Sequence, residues 1–339
     1  MSDIDLVTID PTADDELLER WVQAQTDVGE HTFGDRHTSY SVAEVRAALR
    51  LTRNHDVELV AAVRDGAVVG AGRLDMPLRD NTSMAALRLA VPPAHRRQGV
   101  GSALLAELEA RAAAAGRTTL LSESEAAVGG PEPATGFAPA HGYAAALHEL
   151  RSDLDLPGDL DAVLGPLEAE AREPSAGYEL RTWWDGVPTK WLAQRAELSA
   201  RMSTDAPFGA LAVEEERWDE ERVLEQGRIA REQRRRVVET VAVDPSTGRL
   251  VAFTILAVAE HTPQLAYQWD TLVLREHRGH RLGQLVKAAN LRALLAELPR
   301  VRRVVTWNAG VNGPMLRVNR AMGFQVTGSM TEWQKQLPG

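Results

Sequence analysis

The 339-residue chain contains no cysteine, which excludes disulfides, thiolate zinc sites, iron–sulfur clusters and a cysteine nucleophile. A reducing cytoplasm suits everything present, so a cytoplasmic location is expected. No uninterrupted apolar run is long enough for a membrane-spanning helix, and the acidic start MSDIDLVTIDPTADDELLERW lacks the basic-then-apolar order of a targeting segment. A membrane is therefore not expected as a partner. Basic residues are outnumbered, 38 Lys and Arg against 48 Asp and Glu. The resulting charge of −10 repels nucleic acid, which is likewise not expected as a partner. Arg228, Arg231, Arg234, Arg235 and Arg236 close a segment that opens with Glu214, Glu215 and Glu216, an arrangement that complements a helix dipole and forms i,i+4 pairs. His31 and His37 flank a polar turn without carboxylates at ligand spacing, and no metal site is expected.

What is there is an ordinary globular composition, 44% hydrophobic and 25% charged, in a chain long enough for two cored domains. A repeat organises it. Val91-Pro92-Pro93-Ala94-His95-Arg96-Arg97-Gln98-Gly99-Val100-Gly101 recurs in the second half of the chain as Val273-Leu274-Arg275-Glu276-His277-Arg278-Gly279-His280-Arg281-Leu282-Gly283. An apolar extended run precedes each copy, Ala85–Val91 and Leu265–Leu274, and a helical pattern follows, Ser102–Ala115 and Gln284–Leu298. A second strand comes next, Thr118–Ser122 or Val304–Trp307, and then Gly142-Tyr143 or Gly323-Phe324.

Upstream, Asp14–Gln25 and Val42–Arg50 read as helices, and Val57–Val63 with Ala67–Leu74 as a hairpin around Asp65-Gly66. The second half repeats this with helices over Val187–Met202 and Glu214–Arg235, then strands over Val237–Val243 and Leu250–Val258 about a turn at Asp244–Gly248. The expected division is an N-terminal domain over 1–156, a linker over 157–175 and a C-terminal domain over 176–339.

A glycine-rich turn between strand and helix has a direct physical meaning. The first amides of a helix have no intrahelical acceptor and carry the positive end of the dipole, so they form an anion cradle. No Gly-Lys-Ser/Thr follows, which excludes a Walker loop, and Leu104 stands where a dinucleotide fingerprint requires its third glycine.

Arg96-Arg97-Gln98-Gly99-Val100-Gly101 resembles the Arg/Gln-x-x-Gly-x-Gly/Ala loop of the GNAT acyltransferase superfamily. The resemblance covers nearly the whole chain as a tandem, a layout similar to that of the mycothiol synthases. It implies an α/β fold of two tandem GNAT-like domains, each a mixed sheet whose central parallel strands splay to admit acetyl-CoA. By that resemblance Val91, Arg96, Arg97, Gln98, Gly99, Val100, Gly101 and Ser102 hold the coenzyme in the first copy. In the second, the implied set is Leu272, Val273, Leu274, Arg278, Gly279, His280, Arg281, Leu282, Gly283 and Gln284. Arg281 replaces the middle glycine there, and either adds a phosphate contact or crowds the loop. Trp307-Asn308, Asn312, Met315, Asn319 and Gly323-Phe324 match the superfamily's later elements, so Asn308, Asn312, Met315 and Asn319 are implied as pantetheine-binding. The first copy lacks that series.

The implied reaction is acetyl transfer to a small-molecule amine by direct attack. An amine of pKa about 10.4 is neutral in only about one molecule in 2,500 at pH 7, a deficit of about 4.6 kcal/mol, so a base is needed. Asp270, on the strand before the second loop, is the leading candidate, with Glu123 in the corresponding region of the first copy. The C-terminal copy is the expected working half; the N-terminal copy either binds the coenzyme or acts itself. The tyrosine that serves many relatives as general acid is absent, Ala138 and Asn319 standing in its place. Seven of the eight tryptophans fall after residue 176; Trp269 and Trp307 flank the expected pantetheine cleft, and Trp218, in the acidic segment Glu214–Glu221, is expected to border an acceptor pocket, an arrangement that suits a cationic acceptor. The alternatives are a non-catalytic acyl-CoA sensor and a protein N-acetyltransferase. A monomer or homodimer is expected.

Overall fold

The computed structural model describes residues 3–51, 53–156, 158–205 and 207–337. The chain packs into two compact units that are not contiguous in sequence. Unit 1 comprises Met1–His148, Gly209–Glu214 and Gly328–Gly339; unit 2 comprises Glu149–Phe208 and Glu215–Thr327. Relative to a linear division at 156 and 176, residues 149–156 fall in unit 2, while Gly209–Glu214 and Gly328–Gly339 fall in unit 1. Pro157, the first residue of the expected linker, lies outside the described residues.

Unit 1 runs β1 (Asp5–Thr8), α1 (Asp15–Phe33), α2 (Val42–Leu51), β2 (His55–Arg64), β3 (Ala67–Pro77), β4 (Met84–Ala90), α3 (Val100–Ala114), β5 (Thr119–Ala127) and a short α4 (Phe137–Ala140). Helix α1 outlasts the expected Gln25 because nothing breaks it before Gly34, which closes it at φ 59° and whose backbone N–H donates to the Glu30 carbonyl. The turn from β2 to β3 is a tight hairpin with Asp65 at φ 50° and Gly66 at φ 79°, the left-handed pair that an Asp-Gly sequence favours.

Unit 2 holds β6 (Ala144–Asp155, its latter part), α5 (Asp161–Arg172), β7 (Glu179–Trp184), α6 (Leu192–Asp205), α7 (Glu220–Glu232), β8 (Arg235–Asp244), β9 (Arg249–Ala259), β10 (Leu265–Val273), α8 (Leu282–Glu297), β11 (Arg303–Ala309) and α9 (Gly313–Ala321). The expected linker is largely α5, which Arg292 of α8 ties down through Asp161 at 2.6 Å and Glu168 at 2.5 Å. The expected helix over Glu214–Arg235 is shorter. Asp219 caps α7 by accepting the Arg222 amide at 2.9 Å, and Arg235 already belongs to β8.

The final strand, β12 (Gln325–Gln336), pairs through Gly328–Gln336 with β5 in unit 1, while Glu149–Asp155 of β6 pairs with β11 in unit 2. Each half of the sequence thus contributes the last strand of the other unit. Unit 1 has the strand order β1-β2-β3-β4-β5-β12, and unit 2 has β6-β11-β10-β9-β8-β7. Trp333 consequently packs in the unit 1 core with Leu87, Leu104, Leu120 and Tyr143, not among the C-terminal tryptophans. Its indole N–H donates to Ser124 Oγ at 2.8 Å.

A chain stopped after Thr327 leaves the β5 edge bare and removes Trp333. It should lose the cooperative thermal transition of unit 1, and a peptide spanning 325–337 added in trans should restore it. Trp333→Ala alone should cost roughly 3–5 kcal/mol in a denaturant titration.

Candidate functional site

In unit 1 the parallel ladder of β4 and β5 ends at Leu87 opposite Ser122. Beyond that point β4 stays with β3 up to Ala90, and β5 stays with β12 up to Ala127, so a slot opens between β4 and β5. Arg88 and Glu123 are the first residues past the ladder, and their side chains pair at 3.0 Å. Glu332 of β12 stands directly across from Glu123 in register. The slot leads to the turn before α3. There Arg97 at φ 59° and Gly99 at φ 85° alternate with right-handed or extended neighbours, a nest that turns successive amides toward one point.

The first chain amide on this turn with a helical acceptor is that of Ala103, bonded to the Gly99 carbonyl at 3.0 Å. Among the described residues no protein group accepts the amides of Arg97 through Ser102. A Cβ on Gly99 would meet nothing within 4 Å, so the mouth is open. Three arginines border it. Arg64 donates to Gln98 Oε1 at 2.8 Å and keeps its buried Nε without an acceptor. Arg96 donates to the Val91 carbonyl at 3.0 Å, and Arg97 is exposed with no partner among the described residues. Gly101 lies against the Phe137 ring, and Ser102 Oγ is 3.2 Å from His141 Nε2.

Unit 2 repeats the backbone and changes the charges. The β10–β11 ladder ends at Tyr267 opposite Val305, and the nest recurs with Gly279 at φ 90° and Arg281 at φ 55°. Glycine and arginine have exchanged places between the two loops. Arg281 neither crowds the loop nor stays available to an anion; it pairs with Glu170 of α5 at 2.5 Å. Arg278 and Arg275 both pair with Asp205 at 3.0 Å. His280 is hydrogen-bonded to the Pro174 carbonyl at 2.9 Å, and Gln284 donates to the Leu167 carbonyl at 2.7 Å. The Leu274 amide is spent on the Val251 carbonyl, while Leu272 and Val273 continue the ladder with β9. Leu282 is buried, and Gly283 lies under the Val273 side chain.

Both units thus have parallel strands that part onto a nest at a helix N-terminus. Residues 18–143 match the Acetyltransferase (GNAT) family. A tandem GNAT protein from the clavulanic acid biosynthesis pathway superposes with a TM-score of 0.79 at 27% identity, over 99% of this chain and 100% of its own. This chain is a two-domain GNAT-fold protein. A GCN5-related N-acetyltransferase from Sphaerobacter thermophilus has the same fold, with a TM-score of 0.68 at 18% identity over 99% and 96% of the two chains. A glucosamine N-acetyltransferase region in a fungal multi-domain GH3 β-N-acetylglucosaminidase follows, with a TM-score of 0.63 at 13% identity, over 98% of this chain and 38% of that one. No curated protein sequence matches significantly. The fold supports acyl-CoA-dependent acyl transfer as the general class of activity.

In this two-domain GNAT fold the asparagines of the second copy bond to the protein itself. Asn312 caps α9 by accepting the Met315 amide at 3.3 Å. Asn319 donates to Asn308 Oδ1 at 2.6 Å and accepts from the Lys287 ammonium at 2.6 Å. Lys287, which no sequence pattern singles out, is fully buried on α8 with its Nζ 5.1 Å from the Phe324 ring centroid.

Asp270 owes its position to a bulge. Gln268 pairs with Leu256 and Thr271 with Thr254, so Trp269 and Asp270 together oppose Ile255 alone. A regular strand would send these two side chains to opposite faces; here both line one cavity of about 420 Å³. Buried Gln268 fixes the bulge by donating to Thr254 Oγ1 at 3.0 Å and to the Ile255 carbonyl at 2.6 Å. Asp270 is solvent-accessible at the cavity wall; desolvation by the surrounding protein pushes its pKa up, opposed by Arg195 and reinforced by Glu216. Among the described residues no group of three or more His, Asp or Glu is arranged to hold a metal. No helix there is long and apolar enough to cross a membrane.

Burial brings Lys287 down from 10.5 to about 7. Between those values the unfolded chain holds a proton that the folded chain has released, so this residue makes stability rise with pH from about 7 to 10.5. Lys287→Met removes that dependence. Its stability relative to wild type should be most favourable at pH 6–7 and should decline steadily toward pH 10 in chemical denaturation.

Proposed function

We propose that the protein is an acetyl-CoA-dependent N-acetyltransferase acting on a small-molecule amine, with the coenzyme seated in unit 1. The observation that carries this reading is the cradle at Arg97–Ser102: among the described residues no protein group accepts its amides and its neighbouring arginines meet no carboxylate. The donor set suits a diphosphate. The amides supply fixed partial charges at the positive end of α3, and Arg97 adds a full charge at the rim. In unit 2 the corresponding arginines are already matched by Asp205 and Glu170, and an added anion would have to displace those pairs. This inverts the expectation that the C-terminal copy is the working half.

Acetyl-CoA supplies an activated thioester. The slot between β4 and β5 takes an extended pantetheine arm as a strand would be taken, since the facing backbone edges past Leu87 and Ser122 are not paired with each other. Glu123, at the start of that slot, is the base of this reading: it takes a proton from the attacking amine directly or through one water, and Arg88 at 3.0 Å holds its carboxylate in place. Positioning supplies the rest of the acceleration. A cytoplasmic location, with neither membrane nor nucleic acid as partner, belongs to the same reading.

Calorimetric titration with acetyl-CoA tests the seating. Arg97→Glu should weaken binding at least tenfold while Arg278→Glu leaves it unchanged; the opposite ranking places the coenzyme in unit 2. Glu123→Gln should lower kcat about 10²-fold or more and leave coenzyme affinity within twofold, as measured by thiol release with a panel of primary amines.

A further inference from the structure

Unit 2 holds an open-mouthed cavity of about 420 Å³ that acyl transfer in unit 1 does not use. We propose that it binds a compact zwitterion, a molecule bearing one ammonium and one carboxylate on an apolar body, with the ammonium at Asp270 and the carboxylate at Arg231.

The argument starts from which charges on the wall are already matched. Arg195 is buried, bonded to Glu239 and to Ser199 Oγ at 2.5 Å, with its guanidinium 3.8 Å from the Phe253 ring centroid. Glu239 also accepts the Trp183 indole N–H at 3.3 Å. Asp185 uses both oxygens, one for the Val237 amide at 2.9 Å and one for Arg236 at 2.8 Å. Arg235 lies over the Tyr267 and Trp269 rings and is engaged by the protein. Two groups remain. Asp270 has no hydrogen bond or ion pair among the described residues, and Arg231 donates to the Asp185 carbonyl at 2.9 Å without meeting a carboxylate.

Both are solvent-accessible at the cavity wall, and a ligand of single charge would engage only one of them. A zwitterion answers both. The volume lies within the range of small-molecule sites, and Val187, Val223, Ile229 and Ile255 provide apolar wall. Trp269, brought to the same side as Asp270 by the bulge, presents an aromatic surface to the ammonium. Gly186 and Gly227 both line the cavity, and a Cβ on either would stand 3.6 Å from Arg231 Nη1, so the guanidinium rests over bare backbone at the cavity wall.

The test uses the full-length protein and the twenty protein amino acids, each compared with its decarboxylated amine, by thermal shift followed by calorimetry. At least one amino acid should bind, and its decarboxylated amine should bind at least tenfold more weakly. Asp270→Asn and Arg231→Gln should each weaken the same amino acid at least tenfold without changing the melting temperature of the free protein, and Arg231→Lys should retain most of the affinity. No binding by any amino acid, equal binding by the amine, or undiminished binding by Asp270→Asn overturns the proposal. Acetyl-CoA titrated into the same samples reports on unit 1 separately, so failure at one site is not mistaken for failure at the other.

Discussion

The structure of each unit depends on where a parallel ladder stops. Parallel strands need a crossover between them, and here the crossover is a helix that begins just past the end of the first strand. Where the ladder ends, two rows of backbone donors and acceptors face each other unpaired. Burying such groups dry costs about 1–3 kcal/mol each, so the gap must stay open to water or to an extended ligand. The same geometry aims the free amides of the helix at the end of the gap. Slot and cradle are one consequence of one interruption, at Leu87 and Ser122 in unit 1 and at Tyr267 and Val305 in unit 2.

That backbone device survives in both units while its side chains have diverged. The left-handed positions fall at 97 and 99 in one loop and at 279 and 281 in the other, the same two places of the repeated motif. Glycine occupies the second position in unit 1 and the first in unit 2. A non-glycine residue in this conformation costs roughly 1–2 kcal/mol, and each loop bears that cost once, at Arg97 or Arg281. What differs is where the guanidinium goes: Arg97 points to solvent at the cradle mouth, and Arg281 is drawn to Glu170.

The repeat, the Asp-Gly hairpin and the loop-to-helix units are legible because each is written in residues close together in sequence. The exchange of final strands is not. β6 and β12 both follow a Gly-aromatic pair and both read as ordinary strands, so nothing local says which sheet each joins, and position along the chain groups Trp333 with the wrong core. The bulge is equally hidden, since one extra residue between Gln268 and Thr271 changes the direction of Asp270 without changing composition. The neutralising partners of the second loop, Glu170 and Asp205, stand on helices far upstream of the arginines they hold, beyond the reach of any spacing rule. The Lys287–Asn319–Asn308 chain likewise joins a helix, a second helix and a strand, and converts asparagines that match a binding pattern into internal supports.

Net charge is a poor guide to where an anion settles on such a molecule. At physiological salt, screening acts over about 8 Å, so a diphosphate responds to the charges around one loop and not to the total of −10. Among the described residues, three guanidinium groups around the first loop have no carboxylate bonded to them, whereas around the second each arginine has its acid. Desolvating a matched pair to admit another anion leaves a carboxylate uncompensated beside a phosphate, a cost the first loop does not incur. Two copies of one backbone device can therefore present opposite electrostatics, and the acidic residues that quiet the second loop belong to α5 and α6, elements outside the repeated motif itself.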